Sequence, residues 1–231
     1  MVLRKSDENE KEYAYRELRN SIMSLELKPG EAVSETELAK KLGVSRTPIR
    51  EALSKLKEEY LIEVKPQIGT YVSLIDMNLV KQALFMRHCL EKEVLKLACS
   101  DFSEKSLIML EQNIVSQKHV TGKQGGELEF HELDEEFHRL IFAGTGVEEV
   151  WKSIQKLSTH YNRLRVLSEI KFSNRELYEE HEQIFNLIRS KDCMGIEDMV
   201  TGHIKTPSDK YWERLLNDEQ GYREYFKIYP I

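Results

Sequence analysis

The pattern of apolar and polar positions divides the chain into two blocks of different character. In the first block, apolar residues spaced three and four apart from Ala14 to Leu25 predict an amphipathic helix over about residues 9–25. From about Asp76 almost to the last residue, longer stripes repeat the helical spacing. The segment between the blocks has shorter apolar runs. The pattern therefore predicts a small N-terminal domain followed by a larger helical one.

Two short helices joined by a tight turn are predicted in that middle segment. Ser34 and Glu37 have the spacing of a capping box, which marks the start of the first helix. Gly43 supplies the turn, and the second helix begins at Ser45, whose side chain can accept a backbone N–H from the first turn. This is the spacing of a helix-turn-helix, in which the second helix reads DNA bases.

The second of these helices carries two arginines on one face. Arg46 and Arg50 are four residues apart, whereas Ile49 and Leu53 form an inward stripe. Two solvated arginines on a surface helix would give the same spacing. Because a helix and a turn precede them, we favour insertion into a major groove, where guanidinium groups pair bidentately with guanine.

A hairpin is predicted directly after the second helix. Residues 61–64 and 70–73 have the composition of short strands, and the connection between them contains Gly69. The glycine allows a backbone bend and a close approach to a sugar-phosphate ridge. An isolated hairpin would carry no such meaning, but beside a helix-turn-helix it is interpreted as the wing of a winged helix.

Six helices with short connections are predicted after the hairpin. Their approximate bounds are 79–97, 103–120, 127–143, 147–169, 174–190 and a last helix from residue 192. The predicted fold is therefore mainly α, with an N-terminal winged helix-turn-helix and an antiparallel all-helical bundle. The domains are assigned to residues 1–73 and 79–231, joined by a linker at 74–78.

The formal net charge of −6 matters less than the placement of the charges, because only one face of a DNA-binding protein must meet phosphate. Basic residues gather around the second helix of the helix-turn-helix: Lys40, Lys41, Arg46, Arg50, Lys55, Lys57 and Lys65. The three cysteines show no Cys-x-x-Cys spacing, and no apolar run is long enough to span a membrane. A cytoplasmic protein with reduced thiols and no membrane partner is expected.

Four polar residues on apolar helix faces could meet inside the bundle. Asp134 and His138 are one turn apart on the third bundle helix, and His181 and His203 fall on the last two. A carboxylate and imidazoles converging from three helices would make a metal site. From the residues alone, hydrogen-bonded core histidines remain the favoured interpretation. His131, two turns before His138, is a rival ligand.

Residues 34–53 resemble the winged-helix domain of GntR-type bacterial transcription regulators. The resemblance rests on a dense, gap-free run, Leu-Gly-Val-Ser-Arg-Thr-Pro-Ile-Arg-Glu-Ala-Leu, at residues 42–53. It implies base contacts by the two arginines and backbone contacts by their neighbours. Thr36 falls at a position where the family often has a basic residue, and Gly69 is the wing glycine. With these two, the implied DNA-contacting set is Ser45, Arg46, Thr47, Arg50, Thr36 and Gly69.

Residues 76 to about 215 resemble the helical effector domain of the FadR branch of that family, the FCD domain, in its shorter six-helix, VanR-like version. In metal-binding members, an Asp-x-x-x-His pair is followed by two histidines on the last two helices. The implied ligands are Asp134, His138, His181 and His203. The branch's Arg-x-x-x-Glu pattern implies Arg87 as partner of an effector carboxylate, with Arg163 and Arg165 as weaker candidates.

The resemblance implies a transcription regulator, by family habit a repressor, that binds a palindromic operator as a homodimer. A small carboxylate would occupy open positions of a divalent transition metal, zinc first, with manganese, nickel or iron as alternatives. A second interpretation keeps the regulator but makes the metal purely structural, without an effector. A third, a metal-dependent hydrolase, is disfavoured because an enzyme has no use for a winged helix. The protein is therefore expected not to be an enzyme.

Overall fold

The computed structural model describes residues 4–5, 8–207, 211–217 and 221–228. In the N-terminal part, three helices and a small sheet alternate along the chain: α1 Glu10–Met23, β1 Ala32–Val33, α2 Glu35–Leu42, α3 Arg46–Glu58, β2 Ile62–Lys65 and β3 Gly69–Val72. The predicted amphipathic helix is confirmed as α1, which begins with a reciprocal capping box between Asn9 and Glu12. Its buried face, with Leu18 and Ile22, belongs to the same core as Ile49 of α3.

The two capping predictions for the helix-turn-helix are wrong. Ser34 and Ser45 do stand at the N-cap positions of α2 and α3, but neither side chain accepts a backbone N–H. Glu37, the expected partner of Ser34, is exposed. Gly43 takes the left-handed conformation, with φ of +68°, that ends α2 and makes the tight turn. Burial of the apolar stripes of α2 and α3, together with this turn, therefore defines the motif without side-chain caps.

The predicted hairpin is confirmed, with an additional edge strand. β2 and β3 pair antiparallel from Ile62 opposite Val72 to Lys65 opposite Gly69. β1 pairs with the other edge of β3, so the strand order is β1-β3-β2. A strand of only two residues gives no alternating pattern in the sequence, which is why β1 was not predicted. It connects the turn after α1 to the wing.

The C-terminal part is helical, as predicted, and its helices are α4 Met77–Ser100, α5 Glu104–Val120, α6 Glu127–Gly144, α7 Glu148–Leu157, α8 Thr159–Lys171, α9 Arg175–Ser190, α10 Ile196–Pro207 and α11 Glu213–Leu216. The single helix predicted over 147–169 is wrong, because the chain breaks at the buried Ser158. The break allows α7 to bury only one face while α8 is buried on nearly every side. Seven helices therefore lie between residues 77 and 207.

The segment predicted to be the linker, residues 74–78, contains a short strand. β4, Ile75–Asp76, runs parallel to β5, Phe226–Lys227, which returns from the far end of the chain. Ile75 and Phe226 are buried in one cluster with Trp212 of the C-terminal segment and Leu164 of α8. The segment that joins the two domains is therefore covered by residues that come more than a hundred positions later.

Gly144 at the end of α6 is expected to tolerate no side chain. A Cβ there would lie 2.2 Å from Cε2 and 2.5 Å from Cζ of the buried Phe102 ring. We expect Gly144→Ala to destabilise the protein by about 1–3 kcal/mol through overpacking. Thermal unfolding measures this.

The matched control for that substitution is Gly202→Ala in α10, where the described residues place no atom within 4 Å of an added Cβ apart from the neighbouring residues and backbone of the helix itself. This change is expected to stabilise the protein by about 0.5–1 kcal/mol, because alanine loses less backbone entropy than glycine in a helix. Unfolding midpoints that shift in the same direction for the two variants would contradict the packing argument.

Candidate nucleic-acid interface and metal centre

All the residues of the winged helix that are expected to meet DNA are exposed. Arg46 and Arg50 project from α3 with side chains 61% and 67% exposed. The backbone-contacting candidates and the wing glycine are exposed as well: Thr36, Ser45, Thr47 and Gly69. The hydroxyl of Ser45 is free of any capping role. The structure therefore places the whole predicted set on the solvent side of one domain.

The two arginines predicted to read bases share one partner, which sequence analysis missed. Glu35, in the first turn of α2, accepts from Arg50 Nε at 3.1 Å and from Arg50 Nη2 at 2.9 Å. The same carboxylate accepts from Arg46 Nη2 at 3.3 Å. Arg50 lowers the pKa of Glu35 by hydrogen bonding, and Arg46 adds to the effect. The only sequence signal was an acidic residue beside the expected cap.

Inside the bundle, the four residues proposed as ligands from the sequence lie together. Asp134 and His138 come from α6, His181 from α9 and His203 from α10, and all four are buried. The Nε2 atoms of His138 and His203 are 3.3 Å apart, and His181 Nε2 is 3.3 Å from Asp134 Oδ1. One ring nitrogen from each of the three histidines lies within 4.8 Å of the others.

The proton on each imidazole is placed by an acceptor on the outer side of its ring. His138 Nδ1 lies 3.0 Å from Glu91 Oε2, and His203 Nδ1 lies 2.8 Å from Glu180 Oε2. Ionised carboxylates only accept hydrogen bonds, so both Nδ1 atoms carry hydrogen. The two Nε2 atoms are left on the inner side of the rings, where they face each other at 3.3 Å. This is the arrangement in which outer partners orient histidines toward a metal.

In His181 the hydrogen is also placed on Nδ1, here by a chain of side-chain amides. Its Nδ1 is 2.7 Å from Gln117 Oε1, and Gln117 Nε2 donates to Asn113 Oδ1 at 2.7 Å. Asn113 Nδ2 in turn donates to the backbone carbonyl of Leu133, which fixes the orientation of both amides. His181 Nδ1 must therefore donate, leaving Nε2 with a lone pair.

The centre of the cluster is consequently rich in acceptors and poor in donors. Burial holds the pKa of His181 well below its usual value, so its ring is neutral near pH 7. Burial works to raise the pKa of Asp134, but Arg165 and the histidines outweigh it, so this carboxyl stays ionised. Among the described residues, Asp134 Oδ1 and His181 Nε2 have no hydrogen-bond partner. Three imidazole nitrogens and a carboxylate oxygen that converge in this way fit a divalent metal.

The predicted effector arginines are placed differently from one another. Arg87 is buried and donates to Glu91 Oε1 at 2.5 Å, so it belongs to the outer support of His138. Arg163 contacts the end of the wing, where it donates to Ser73 O at 2.7 Å and Ser73 Oγ at 3.0 Å. Without a carboxylate partner there, burial lowers the pKa of Arg163 to about 9.

Arg165, which sequence analysis ranked behind Arg87, is the arginine that touches a proposed metal ligand. It donates to Asp134 Oδ2 at 2.5 Å and to Glu169 Oε1 at 2.9 Å. The rival ligand His131 instead lies on the outer side of Glu169, 3.3 Å from its carboxylate, and does not join the three converging histidines.

The space around the cluster is small. A cavity of about 10 Å³ borders Glu91 and His138, and one of about 20 Å³ borders Arg165, Glu169 and Trp212. A much larger cleft, about 740 Å³, separates α1 from α6, α7 and α8, and its lining includes none of the four proposed ligands. The two cavities at the cluster are each of the size of about one water molecule, smaller than a carboxylic acid.

Comparisons with known proteins agree with this architecture. Residues 10–72 match the family described as bacterial regulatory proteins, gntR family, and residues 82–206 match the FCD domain. The HTH-type transcriptional repressor RspR of Escherichia coli K12 is 34% identical over 196 residues, covering 84% of this chain and 86% of the relative. The Nta operon transcriptional regulator of Aminobacter aminovorans is 29% identical over 192 residues, covering 83% of this chain and 89% of the relative.

Solved structures show the same fold at lower sequence identity. E. coli McbR/YncC superposes with a TM-score of 0.72 at 17% identity, covering 90% of this chain and 99% of that one. A putative GntR regulator from Rhodococcus sp. RHA1 also gives a TM-score of 0.72, at 14% identity, over 88% and 97% of the two chains.

The winged helix joined to an all-helical domain of this kind defines a DNA-binding transcription regulator. The expected class is thereby confirmed. This chain belongs to the GntR family, and its C-terminal domain is an FCD domain. Among the described residues, none of the helices has the length and apolar character needed to cross a membrane.

Proposed function

We propose that this regulator is a repressor whose operator affinity is controlled by a small carboxylate bound at a metal in the helical domain. Residues 1–73 would bind DNA, residues 79–231 would hold metal and effector and form the dimer, and 74–78 would act as the hinge. A two-fold dimer matches a palindromic operator, because each winged helix then reads one half-site. RspR, the E. coli relative, is itself named a repressor.

The observation that carries the metal part of this proposal is the acceptor-only centre of the cluster. We propose Asp134, His138, His181 and His203 as ligands, oriented by the outer partners described above. Nitrogen and oxygen donors suit zinc first, with manganese, nickel or iron as alternatives. A bound divalent metal would supply Lewis-acid positions for an anionic ligand.

The effector part rests on the arginine beside the ligand carboxylate. Arg165 already holds Asp134 Oδ2 and Glu169 Oε1, so its guanidinium recognises carboxylates in this environment. We propose that the acid approaches the metal and Arg165 together. Arg87 would act through Glu91 on His138 rather than on the acid itself.

Helix α8 offers a direct route from that site to the DNA-binding domain. Arg165 is two residues from Arg163, which donates to the backbone of Ser73 at the end of the wing. At the start of α8, Thr159 Oγ1 donates to the Glu59 carbonyl at 3.0 Å, and His160 Nδ1 accepts from the backbone N–H of Asp76 at 2.9 Å. A shift of α8 on effector binding would therefore change the placement of the winged helix and, through population shift, its operator affinity.

Thermal unfolding of the metal-loaded protein against a panel of small carboxylic acids tests this proposal. We expect one acid to raise the midpoint, because a ligand that binds only the folded state stabilises it in proportion to occupancy. After chelation, the same acid should have no effect. The acid that stabilises should also weaken binding to a DNA fragment selected by the protein.

The alternatives give different results in the same experiment. A purely structural metal predicts that chelation lowers the midpoint while every acid leaves midpoint and DNA affinity unchanged. If neither chelation nor any acid changes the midpoint, both the metal and the effector proposals fail. The protein then remains a DNA-binding regulator controlled by another signal.

A further inference from the structure

We infer that Glu35 is a positioning residue for base recognition, which holds Arg46 and Arg50 in the orientation that reads the operator and keeps them off the phosphates of other DNA. The inference rests on the proposed role of the two arginines as base-reading residues. It adds a carboxylate to an interface otherwise assigned to Thr36 of α2, to α3 with its N-cap residue Ser45, and to the wing.

The geometry of the contact leaves the arginines available to DNA. Arg50 gives Glu35 the edge formed by Nε and Nη2. A guanidinium has five N–H donors in a planar fork, so the edge formed by Nη1 and Nη2 stays free for a second planar partner. That edge is the one that matches O6 and N7 of guanine. Glu35 and a base can therefore hold Arg50 at the same time.

Arg46 shares the same carboxylate with a single contact, from Nη2 to Glu35 Oε2. Both arginines are well exposed and carry long flexible side chains, whose rotamer freedom must be lost on binding. A common anchor on the neighbouring helix removes part of that freedom before DNA arrives. The Glu35 side chain is 28% exposed, which leaves it at the edge of the domain where the arginines project.

The carboxylate also acts against non-specific binding. Phosphate contacts by arginine supply affinity without sequence information. An anion beside both guanidinium groups repels the phosphate backbone and competes with it for N–H donors. Removing the anion would therefore favour contacts to any DNA over contacts to the correct bases. Because Arg50 and Arg46 lower the pKa of Glu35, the carboxylate stays ionised at neutral pH.

The matched control lies two residues further on the same helix. Glu37 is exposed in the first turn of α2, and no contact to an arginine is described for it. Glu37→Gln removes one negative charge from the same helix turn, so it reports the general electrostatic effect. Glu35→Gln removes the same charge together with the contact to the two arginines.

In the experiment, each protein selects DNA from a pool of duplexes with a randomised central segment. The proteins compared are wild type, Glu35→Gln, Glu37→Gln, Arg46→Ala, Arg50→Ala and the Glu35→Gln/Arg50→Ala double variant. Base preference is measured at each position, and affinity is measured for one fixed random-sequence duplex. For Glu35→Gln we expect discrimination between the selected and random duplex to fall about tenfold, the size of one lost bidentate base contact. Glu37→Gln should keep the wild-type discrimination.

The base pairs at which Glu35→Gln loses preference distinguish a positioning role of Glu35 from a general structural role. Glu35→Gln should lose preference at the base pairs that Arg46→Ala and Arg50→Ala flatten, and the double variant should lose no more beyond Arg50→Ala than preference at the base pairs that Arg46 reads. Unchanged preference, or an even loss at every position, would overturn the inference. If the two arginine variants flatten no position, the reading-helix assignment itself fails, which is a different result.

Discussion

Replacement of Arg46 or Arg50 by alanine is expected to abolish sequence-specific DNA binding while leaving the fold intact. Each good bidentate contact with a base contributes roughly 1–3 kcal/mol of discrimination, and a two-fold dimer loses two such contacts for each variant. Specific affinity should therefore fall by roughly 30-fold to about 20,000-fold. Binding isotherms for a selected duplex and a random duplex, measured at one salt concentration, give this ratio.

The fold should be unaffected because both side chains are mostly exposed and their ion pairs lie at the surface. Pairs of this kind contribute little to stability. Lys57→Ala, an exposed basic residue in the last turn of α3, is the charge-matched control and should weaken binding to both duplexes by a similar factor. Specific affinity that persists in both arginine variants would exclude α3 as the reading helix.

Replacement of His181 by alanine is expected to remove the metal and the stability that depends on it. The side chain is completely buried, supplies one of the converging lone pairs and stacks on Phe137. With metal at about 100 times its dissociation constant, binding stabilises the folded protein by about 2.7 kcal/mol. For a chain of this length this corresponds to roughly 5–10 °C in the unfolding midpoint.

Elemental analysis and thermal unfolding with and without a chelator check this result. Chelation should lower the wild-type midpoint and leave that of His181→Ala unchanged. His131→Ala is the control, because His131 faces Glu169 and should leave metal content unaltered. Full metal content in His181→Ala, or its loss in His131→Ala, would show that the ligand set is wrongly assigned.

The parts of the fold that sequence analysis predicted correctly are those set by local periodicity. The stripe of α1, the turn at Gly43 and the wing strands all depend on residues close together in the chain. The division of the predicted fourth bundle helix at Ser158 has no such local signal, because apolar spacing continues through Ile154 and Leu157. The β4–β5 pairing joins residues about 150 positions apart, which no local pattern encodes.

Prediction of the candidate site from the sequence is limited in the same way, to what local patterns encode. The proposed ligands could be named because a histidine or aspartate on an apolar face is conspicuous. Their supports, Glu91, Gln117 and Glu180, act across helices and give no spacing relative to the ligands. No periodicity could distinguish Arg165 from Arg163, the two weaker candidates, because α8 is buried on nearly every side and has no single inward face.

The pairing of β4 with β5 also affects the order in which the protein acquires its shape during synthesis. Domains generally fold as units while the chain emerges from the ribosome, the N-terminal one first. The winged helix and the helices up to Pro207 can therefore form before Phe226 and Lys227 have been added. Until then the linker strand lacks its partner. A nascent chain halted at this point would carry a folded DNA-reading domain whose placement is not yet set by the rest of the molecule.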